Sequence, residues 1–224
     1  MEMTDIAAAP RIVLTGFEPF DQDRINPSWE VARALDGAQI AGGVVHALQL
    51  PCVFGAAVET LHQGLVQWQP SLVVCLGLAG GRASIMPERV AINMDDARIP
   101  DNAGHQPIDV PVVRDAPAAY FSTLPIKAMV RQMREAGVPA AVSNTAGTFV
   151  CNHVFYALMH RLARRAGPGV RGGFIHVPAL PQQAAQQAGM PSMGLEVQVL
   201  GIRAALHAAM TVQHDVHETA GQLH

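Results

Sequence analysis

The chain contains the continuous apolar run Leu72-Val73-Val74-Cys75-Leu76, which ends at Gly77. An apolar run of this length, with β-branched residues and a closing glycine, predicts a strand that is buried on both faces. Residues 53–66, just before it, have the spacing of an amphipathic helix. We therefore expect this strand to lie at the centre of a parallel sheet that is covered by helices.

The same two periodicities alternate along the rest of the chain. We predict further strands over residues 11–15, 44–50, 140–143 and 173–177, and an exposed strand over 89–94. We predict helices over residues 28–35, 53–66, 123–136, 149–165 and 195–212, with Asn26 or Ser28 near the first cap and Gly137 ending the third. Strands that alternate with helices form βαβ units. The sequence therefore predicts an α/β protein, a three-layer α/β/α sandwich with a largely parallel twisted sheet.

Composition sets the class of protein. The chain has 224 residues, of which 50% are hydrophobic, and this favours one α/β domain over residues 1–224 with flexible ends at 1–9 and 214–224. The net charge is −3 without a basic stripe, so we expect no nucleic acid partner. The longest apolar stretch, residues 72–79, is shorter than the roughly 20 residues that span a bilayer. Three cysteines, an odd number, favour free thiols. We expect a cytoplasmic protein that does not bind membranes.

Cys151 lies where a turn-forming stretch, residues 143–148, becomes a predicted helix. A helix start offers unpaired N–H groups and a positive dipole end, and both favour thiolate over thiol. Such a position can lower a cysteine pKa into the range of roughly 3.5–7.5. Because the thiolate is the nucleophile, we interpret Cys151 as a candidate for covalent catalysis. The alternative is a buried structural cysteine.

His176 ends the predicted strand 173–177 and is a candidate base for Cys151. Glu88, flanked by apolar and small residues, is a candidate for orienting the imidazole, as the third member of a catalytic triad does. Each has an ordinary alternative: His176 as a satisfied core or surface histidine, and Glu88 as a surface carboxylate or an ion-pair partner of Arg89. If Glu88 has no such role, Asn144 or Asn152 would be left to orient the ring.

Three weaker signals remain. The glycines at 77, 80 and 81 follow a strand and could bind an anion, but they match neither phosphate-loop pattern. His214 and His217 form a possible metal pair, although their polar surroundings favour a solvated face, so we expect no metal. Phe17, Phe20 and Phe149 fall in loops beside the predicted site, where they either bind substrate or pack against the core.

Taken together, the following ordered segments carry a family resemblance: TGFEPF (15–20), INP (25–27), GLAGGR (77–82), ERVAIN (88–93), DARIPDN (96–102), AYFSTLP (119–125), SNTAG (143–147), CN (151–152) and GFIHVP (173–178). They resemble the pyroglutamyl peptidase I, or pyrrolidone-carboxylate peptidase, family of cysteine peptidases. The resemblance covers residues 11–180 with intact spacing. Leu78 stands where some bacterial members carry glutamine and others leucine. The chain after about residue 190 matches less well.

The resemblance implies a catalytic triad of Cys151, His176 and Glu88, with Arg98 near the site. It implies that Phe17, Phe20 and Phe149 form a pocket for the pyroglutamyl ring. It also implies the α/β sandwich shared with nucleoside phosphorylases, no cofactor, and a cytoplasmic homo-oligomer, a tetramer or a dimer.

We therefore expect a cysteine omega-peptidase that hydrolyses an N-terminal pyroglutamyl residue from peptides through a thioester acyl-enzyme. The main alternative is a phosphate-dependent, nucleoside phosphorylase-like transferase that uses residues 77–81 as an anion site. A third possibility is a binding module without activity, in which Cys151 is buried and unreactive.

Overall fold

The structure is a computed structural model of the chain, and it describes residues 9–164 and 169–221. The strands are β1 (Arg11–Phe17), β2 (Gln39–Ile40), β3 (Gly43–Leu50), β4 (Leu72–Leu78), β5 (Met86–Pro87), β6 (Val90–Ile92), β7 (Ala119–Phe121) and β8 (Arg171–Val177). The helices are α1 (Pro27–Ala34), α2 (Ala56–Trp68), α3 (Ile126–Glu135), α4 (Val150–Ala163), α5 (Pro181–Ala184) and α6 (Leu195–Thr211). Parts of three predictions lie outside the described residues: the flexible ends at 1–8 and 222–224, and the last residue, 165, of the helix predicted over 149–165.

The main sheet has the strand order β2-β3-β1-β4-β8-β5. Its four inner strands, β3, β1, β4 and β8, are parallel, whereas β2 and β5 pair antiparallel at the two edges. The apolar run that begins at Leu72 is β4, an inner strand between β1 and β8. A largely parallel sheet is therefore confirmed. Strands β6 and β7 form a separate antiparallel pair.

Helices cover both faces of this sheet. One core cluster packs α1, α3 and α6 against side chains such as Leu14 and Val74, and the other packs α2 and α4 against side chains such as Val13 and Phe174. Alternate residues along each strand supply the two clusters, because successive side chains point to opposite faces. The three-layer α/β/α sandwich is confirmed.

The junction of β1 with α1 positions the first site loop. Asn26 caps α1, since its side chain accepts a hydrogen bond from the Ser28 N–H. The Ser28 hydroxyl in turn accepts a hydrogen bond from the Phe17 N–H at 2.9 Å. A Cβ on Gly16 would lie only 2.3 Å from the Ser28 carbonyl oxygen, so this approach needs glycine. Phe17 is thereby fixed at the carboxyl end of β1.

Two helices begin later than the hydrophobic pattern predicts. α2 starts at Ala56 rather than at residue 53, because Gly55 has a φ of 74°, which is outside the helical region. α3 starts at Ile126 rather than at residue 123, because Pro125 precedes it and disfavours helical backbone at the residue before. Gly137 follows α3 with a φ of 79°, so the predicted C-terminal glycine is confirmed.

The predicted strand over residues 140–143 forms only in part. Ala140 and Ser143 make isolated parallel bridges to Ile85 and Glu88, so this segment is a short outer edge rather than a full strand. Its partner, β5, has only two residues, which limits the ladder. The pattern also missed four short elements, β2, β5, β7 and α5, which are too brief for a periodic signal.

Residues 214–221 are held against α3 rather than extended into solvent. Asp215 accepts hydrogen bonds from the Lys127 and Ala128 N–H groups, which begin the helix and have no partner within it. Glu218 pairs with Arg131 at 2.7 Å. The expectation of a flexible end at residues 214–224 did not include these contacts. They cap a helix whose own N-cap, Pro125, offers no side-chain hydrogen bond.

Candidate active site

The predicted site residues meet where β1, β4 and β8 end. Cys151 is the second residue of α4, whose start faces these strand ends. Gly77 of β4 is in register with His176 of β8, so both positions point to the same face of the sheet. A Cβ on Gly77 would lie 2.8 Å from the Cys151 sulfur. The absent side chain at Gly77 thus leaves room for the Cys151 sulfur beside His176.

Cys151 is half-buried, and its surroundings oppose ionisation. Burial raises the pKa of the Cys151 thiol above its ordinary value, Cys52 and Glu88 raise it further, and Arg82 opposes the rise. The helix start does lie where it was predicted, and the Phe149 side chain does not cap it. The expectation of a low pKa is nevertheless wrong, because a buried thiolate loses more hydration than one helix end restores. The direction of this shift favours the neutral thiol over the thiolate.

His176 forms a buried pair with a carboxylate. Its Nδ1 atom is 2.7 Å from Oε1 of Glu88, and the two side chains are 5% and 0% exposed. The backbone of Glu88 is held on both sides. Its N–H donates to the Phe174 carbonyl, and Glu88 forms an isolated parallel β-bridge with Ser143. An ionised Glu88 accepts a hydrogen bond only from a protonated Nδ1, which leaves Nε2 free to take a proton.

Arg82 completes this arrangement and was not assigned a role by the sequence analysis. Its Nη1 atom lies 2.9 Å from the same Glu88 oxygen, and it also donates to Ser143 and to the Thr145 carbonyl. Its side chain is 28% exposed. Arg82 immediately follows the glycine pair at 80–81, within one of the matching motifs, which was the available signal. A buried carboxylate needs a counter-charge, and Arg82 supplies it.

The structure bears on the alternative roles considered for Glu88 and on the group that orients His176. Glu88 is not on the surface, and its arginine partner is Arg82, whereas Arg89 donates to Asn144 and to the Ala220 carbonyl. Asn152 does not orient His176, because its side chain bonds the backbone of Ile92 and Met94 and so fixes the β6 segment against α4. The group on His176 Nδ1 is the Glu88 carboxylate.

A cavity of about 460 Å³ opens at Cys151. The predicted pocket residues line it: Phe17, Phe20, Phe149 and Arg98. The rings of Phe20 and Phe149 lie 5.3 Å apart between centroids, and Phe17 is 2% exposed, so Phe17 belongs to both the core and the cavity wall. Arg98 is exposed at the rim. The cavity therefore joins the candidate nucleophile to flat apolar walls.

The cavity also contains residues that the sequence analysis missed. Cys52, Leu78 and Asp96 are among its lining residues. Asp96 adds an exposed carboxylate to the cavity lining. Cys52 is 6% exposed, and burial raises the pKa of its thiol to about 12.

A polar network holds the loop after β6 over this cavity. The Asp101 carboxylate accepts hydrogen bonds from the Phe54 N–H and from the backbone of Ala103 and His105. Asn102 donates to Glu18 at 2.9 Å and to the Pro19 carbonyl. These bonds fix the loop between the two segments that carry the cavity walls, so Arg98 and Asp96 are presented from a braced backbone.

The glycine loop shapes the site. Gly77 makes room for the Cys151 sulfur, and Gly80 lines the cavity wall. Among residues 9–164 and 169–221, no three or more His, Cys, Asp or Glu side chains cluster in a way that could hold a metal ion. Over the same residues, no helix has the length and apolarity needed to cross a membrane.

Comparison with known proteins gives consistent matches along the chain. A family model described as pyroglutamyl peptidase matches residues 10–212. The chain is 62% identical over 215 residues to the pyrrolidone-carboxylate peptidase of Cupriavidus taiwanensis, and the alignment covers 96% of this chain and 100% of that protein.

Solved structures match at similar coverage. Bacillus amyloliquefaciens pyroglutamyl peptidase I superposes with a TM-score of 0.90 at 43% identity, and the match covers 92% of this chain and 100% of that one. A mutant pyrrolidone carboxyl peptidase from Pyrococcus furiosus gives a TM-score of 0.85 at 42% identity over 89% of this chain and 98% of that one.

Proposed function

Because the chain belongs to the pyroglutamyl peptidase family, we propose that Cys151, His176 and Glu88 are its catalytic residues. The protein is a cysteine-type omega-peptidase, and its substrates are peptides with N-terminal pyroglutamate. A phosphate-dependent transferase is not favoured, and neither is a binding module without activity. One observation carries the assignment of residues: the Glu88 carboxylate lies 2.7 Å from Nδ1 of His176, which is in register with Gly77, the residue packed against the Cys151 sulfur.

The reaction begins from the neutral thiol, because the pKa of Cys151 is raised by burial. As the sulfur attacks the pyroglutamyl carbonyl carbon, Nε2 of His176 takes the thiol proton and Glu88 stabilises the imidazolium that forms. The imidazolium then gives its proton to the leaving nitrogen as the C–N bond breaks, which leaves a thioester on Cys151. His176 next takes a proton from water as the water oxygen attacks the thioester carbon. The C–S bond then breaks, pyroglutamate leaves, and His176 returns the proton to the sulfur.

The start of α4 supplies donors for the oxyanion. Within the described residues, the N–H groups of Val150, Cys151 and Asn152 have no hydrogen-bond acceptor in the protein. They surround the nucleophile and point out of the helix end, where the dipole favours negative charge. Arg98 at the cavity rim adds a positive charge. Losing one such donor typically costs about 10²–10³ in rate.

The cavity walls account for specificity. Pyroglutamate is a flat, neutral lactam without a free α-amine, so it needs apolar faces and a few hydrogen bonds rather than a counter-ion. Phe17, Phe20 and Phe149 provide the faces. A free N-terminal glutamate would bring an ammonium against these rings, where it loses hydration without gaining a partner.

The test compares three chromogenic amides that differ only in the acyl group: pyroglutamyl, prolyl and glutamyl. The parent protein should hydrolyse the pyroglutamyl amide far faster than the other two, without a need for phosphate, and iodoacetamide should abolish the activity. Cys151→Ala should have no activity while keeping the circular dichroism spectrum of the parent. Turnover that depends on phosphate or survives alkylation would contradict the assignment.

We extend the proposal to the setting of the enzyme. It works without a cofactor, in the cytoplasm, as a homotetramer or homodimer, and without nucleic acid or membrane partners. The free thiols of Cys52, Cys75 and Cys151 support a reducing compartment, and the net charge of −3 argues against a nucleic acid partner. Sedimentation velocity of the purified protein tests the assembly.

A further inference from the structure

A second cavity, of about 500 Å³, lies next to the first. The two cavities share Leu78 and Gly80 as lining residues, so the loop after β4 forms the wall between them. Met190 covers the other side of this wall, since a Cβ on Gly80 would lie 3.8 Å from its terminal methyl carbon. A ligand that leaves the first cavity over this loop therefore enters the second.

The second cavity lies beside the chain segment that follows His176. Leu78 is in register with Val177, the residue after His176, and the Ala79 N–H donates to the Val177 carbonyl at 3.0 Å. Ala179, two residues further on, lines the cavity. The acyl group occupies the first cavity and His176 gives its proton to the leaving nitrogen. The peptide that follows this nitrogen is thus directed towards the second cavity.

The lining of the second cavity is polar and carries one charge. Gln22, Gln183, Gln186 and Gln187 line it, together with a single ionisable side chain, Asp23. Amide side chains both donate and accept hydrogen bonds, which matches the alternating N–H and C=O groups of a peptide backbone. The composition therefore fits a peptide chain rather than a flat apolar ring.

Asp23 is held in place across the cavity. Gln183 donates from Nε2 to the Asp23 carboxylate at 2.7 Å, and its Oε1 accepts a hydrogen bond from the Leu180 N–H at 2.9 Å. Gln183 is thus fixed at both ends and links the loop after β1 to the start of α5. The Asp23 carboxylate stays exposed and keeps lone pairs for a cation.

We propose that this cavity is the binding subsite for the leaving peptide, and that Asp23 makes it prefer a basic residue over an acidic one directly after the scissile bond. The proposal rests on the proposed function. In this subsite the glutamine side chains bind the backbone of the leaving peptide, and Asp23 sets the charge preference.

The test uses pyroglutamyl peptide amides that differ only in the residue after pyroglutamate, which is lysine, glutamine or glutamate. In the parent protein, kcat/KM should be about two- to fivefold higher for lysine than for glutamate, the range expected for one exposed ion pair. This ratio should fall as salt is added. Asp23→Asn keeps the hydrogen bond from Gln183 and should bring the ratio close to one, and Asp23→Lys should reverse it.

Asp21→Asn is the matched control, because Asp21 carries the same charge two residues away without lining the cavity. Its φ of 57° is one that asparagine tolerates. Its lysine-to-glutamate ratio should match the parent. Pyroglutamyl-aminocoumarin, which has no peptide after the scissile bond, should be cleaved equally by the parent and all variants.

A second arm tests the backbone contacts. Lengthening the peptide from one to three residues after pyroglutamate should lower KM in the parent, and the Gln186→Ala, Gln187→Ala double variant should lose this gain. A lysine-to-glutamate ratio that is unchanged in Asp23→Asn, with normal coumarin cleavage, would overturn the subsite alone. A parent protein that does not cleave pyroglutamyl-aminocoumarin would overturn the proposed function, and the subsite with it.

Discussion

Replacing Arg82 with methionine isolates the charge that faces the Glu88–His176 pair. Methionine keeps the apolar stem of the side chain and removes the guanidinium, which lies 2.9 Å from Oε1 of Glu88. The guanidinium opposes the addition of a proton to the pair, whichever member takes it. Since an active enzyme needs that proton site empty, Arg82→Met should move the acid limb of the pH–rate profile to higher pH.

The size of the shift follows from the contact. A hydrogen bond to a charged group contributes about 1.5–3 kcal/mol. One pH unit corresponds to about 1.4 kcal/mol, so the acid limb should move up by about one to two units. Below the acid limb of the parent, kcat/KM for a pyroglutamyl amide should fall by roughly 10- to 100-fold, with a smaller loss above that limb. Arg82→Lys keeps the charge and should shift the limb much less.

The assay is kcat/KM for a pyroglutamyl chromogen from about pH 5 to pH 9. Arg89→Met is the matched control, because Arg89 also makes two hydrogen bonds, to Asn144 and to the Ala220 carbonyl, but does not contact Glu88. It should leave the acid limb in place. An acid limb that is the same in Arg82→Met and the parent, or that moves equally in Arg89→Met, would refute the reasoning.

Three further predictions concern the triad, the pocket and the core. Glu88→Gln should keep measurable activity with an altered pH–rate profile, Glu88→Ala should lose more, and His176→Ala should lose most; equal kcat/KM values for Glu88→Ala and the parent at every pH would exclude the triad role. Phe149→Ala should lower kcat/KM mainly through a higher KM, with an unchanged far-ultraviolet spectrum; a pure kcat effect would argue against a binding role. Burial raises the pKa of Cys75 from 9.0 to about 12, so as the pH rises the unfolded chain loses this proton before the folded protein does. The free energy of unfolding should therefore fall above about pH 9, by up to about 1.4 kcal/mol per pH unit for this thiol. Urea melts of Cys75→Ala should show a smaller alkaline loss than the parent, and equal losses would contradict this pKa.

The sequence predicts the sheet and its layers well because their signals are local. A run such as the one that begins at Leu72 is apolar at every position, and this is characteristic of a strand covered on both faces. The helix starts were less well predicted, because one backbone angle at Gly55 or one proline at 125 overrides the hydrophobic period. Residues 140–143 have a strand pattern, but a partner of only two residues limits their pairing.

In the candidate site, too, local sequence signals predict positions but not the contacts between distant residues. The positions of Cys151, His176 and Glu88 follow from motifs, whereas their electrostatics depend on contacts far apart in sequence. Arg82 and Thr145 meet at 3.2 Å across 63 residues, a contact that no periodicity encodes. The pKa of Cys151 depends on how much protein surrounds its sulfur, and the position of a helix start does not determine this.

The central claim is that Cys151 attacks the substrate carbonyl and carries the acyl group. The direct measurement is to mix the enzyme with excess pyroglutamyl ester, quench it in acid within the first turnover, and map the peptides by mass spectrometry. The account predicts one pyroglutamyl group, on the peptide that contains Cys151, absent from Cys151→Ala and removed by hydroxylamine. Normal turnover with no acyl group on Cys151, or an acyl group on Cys52 instead, would contradict it.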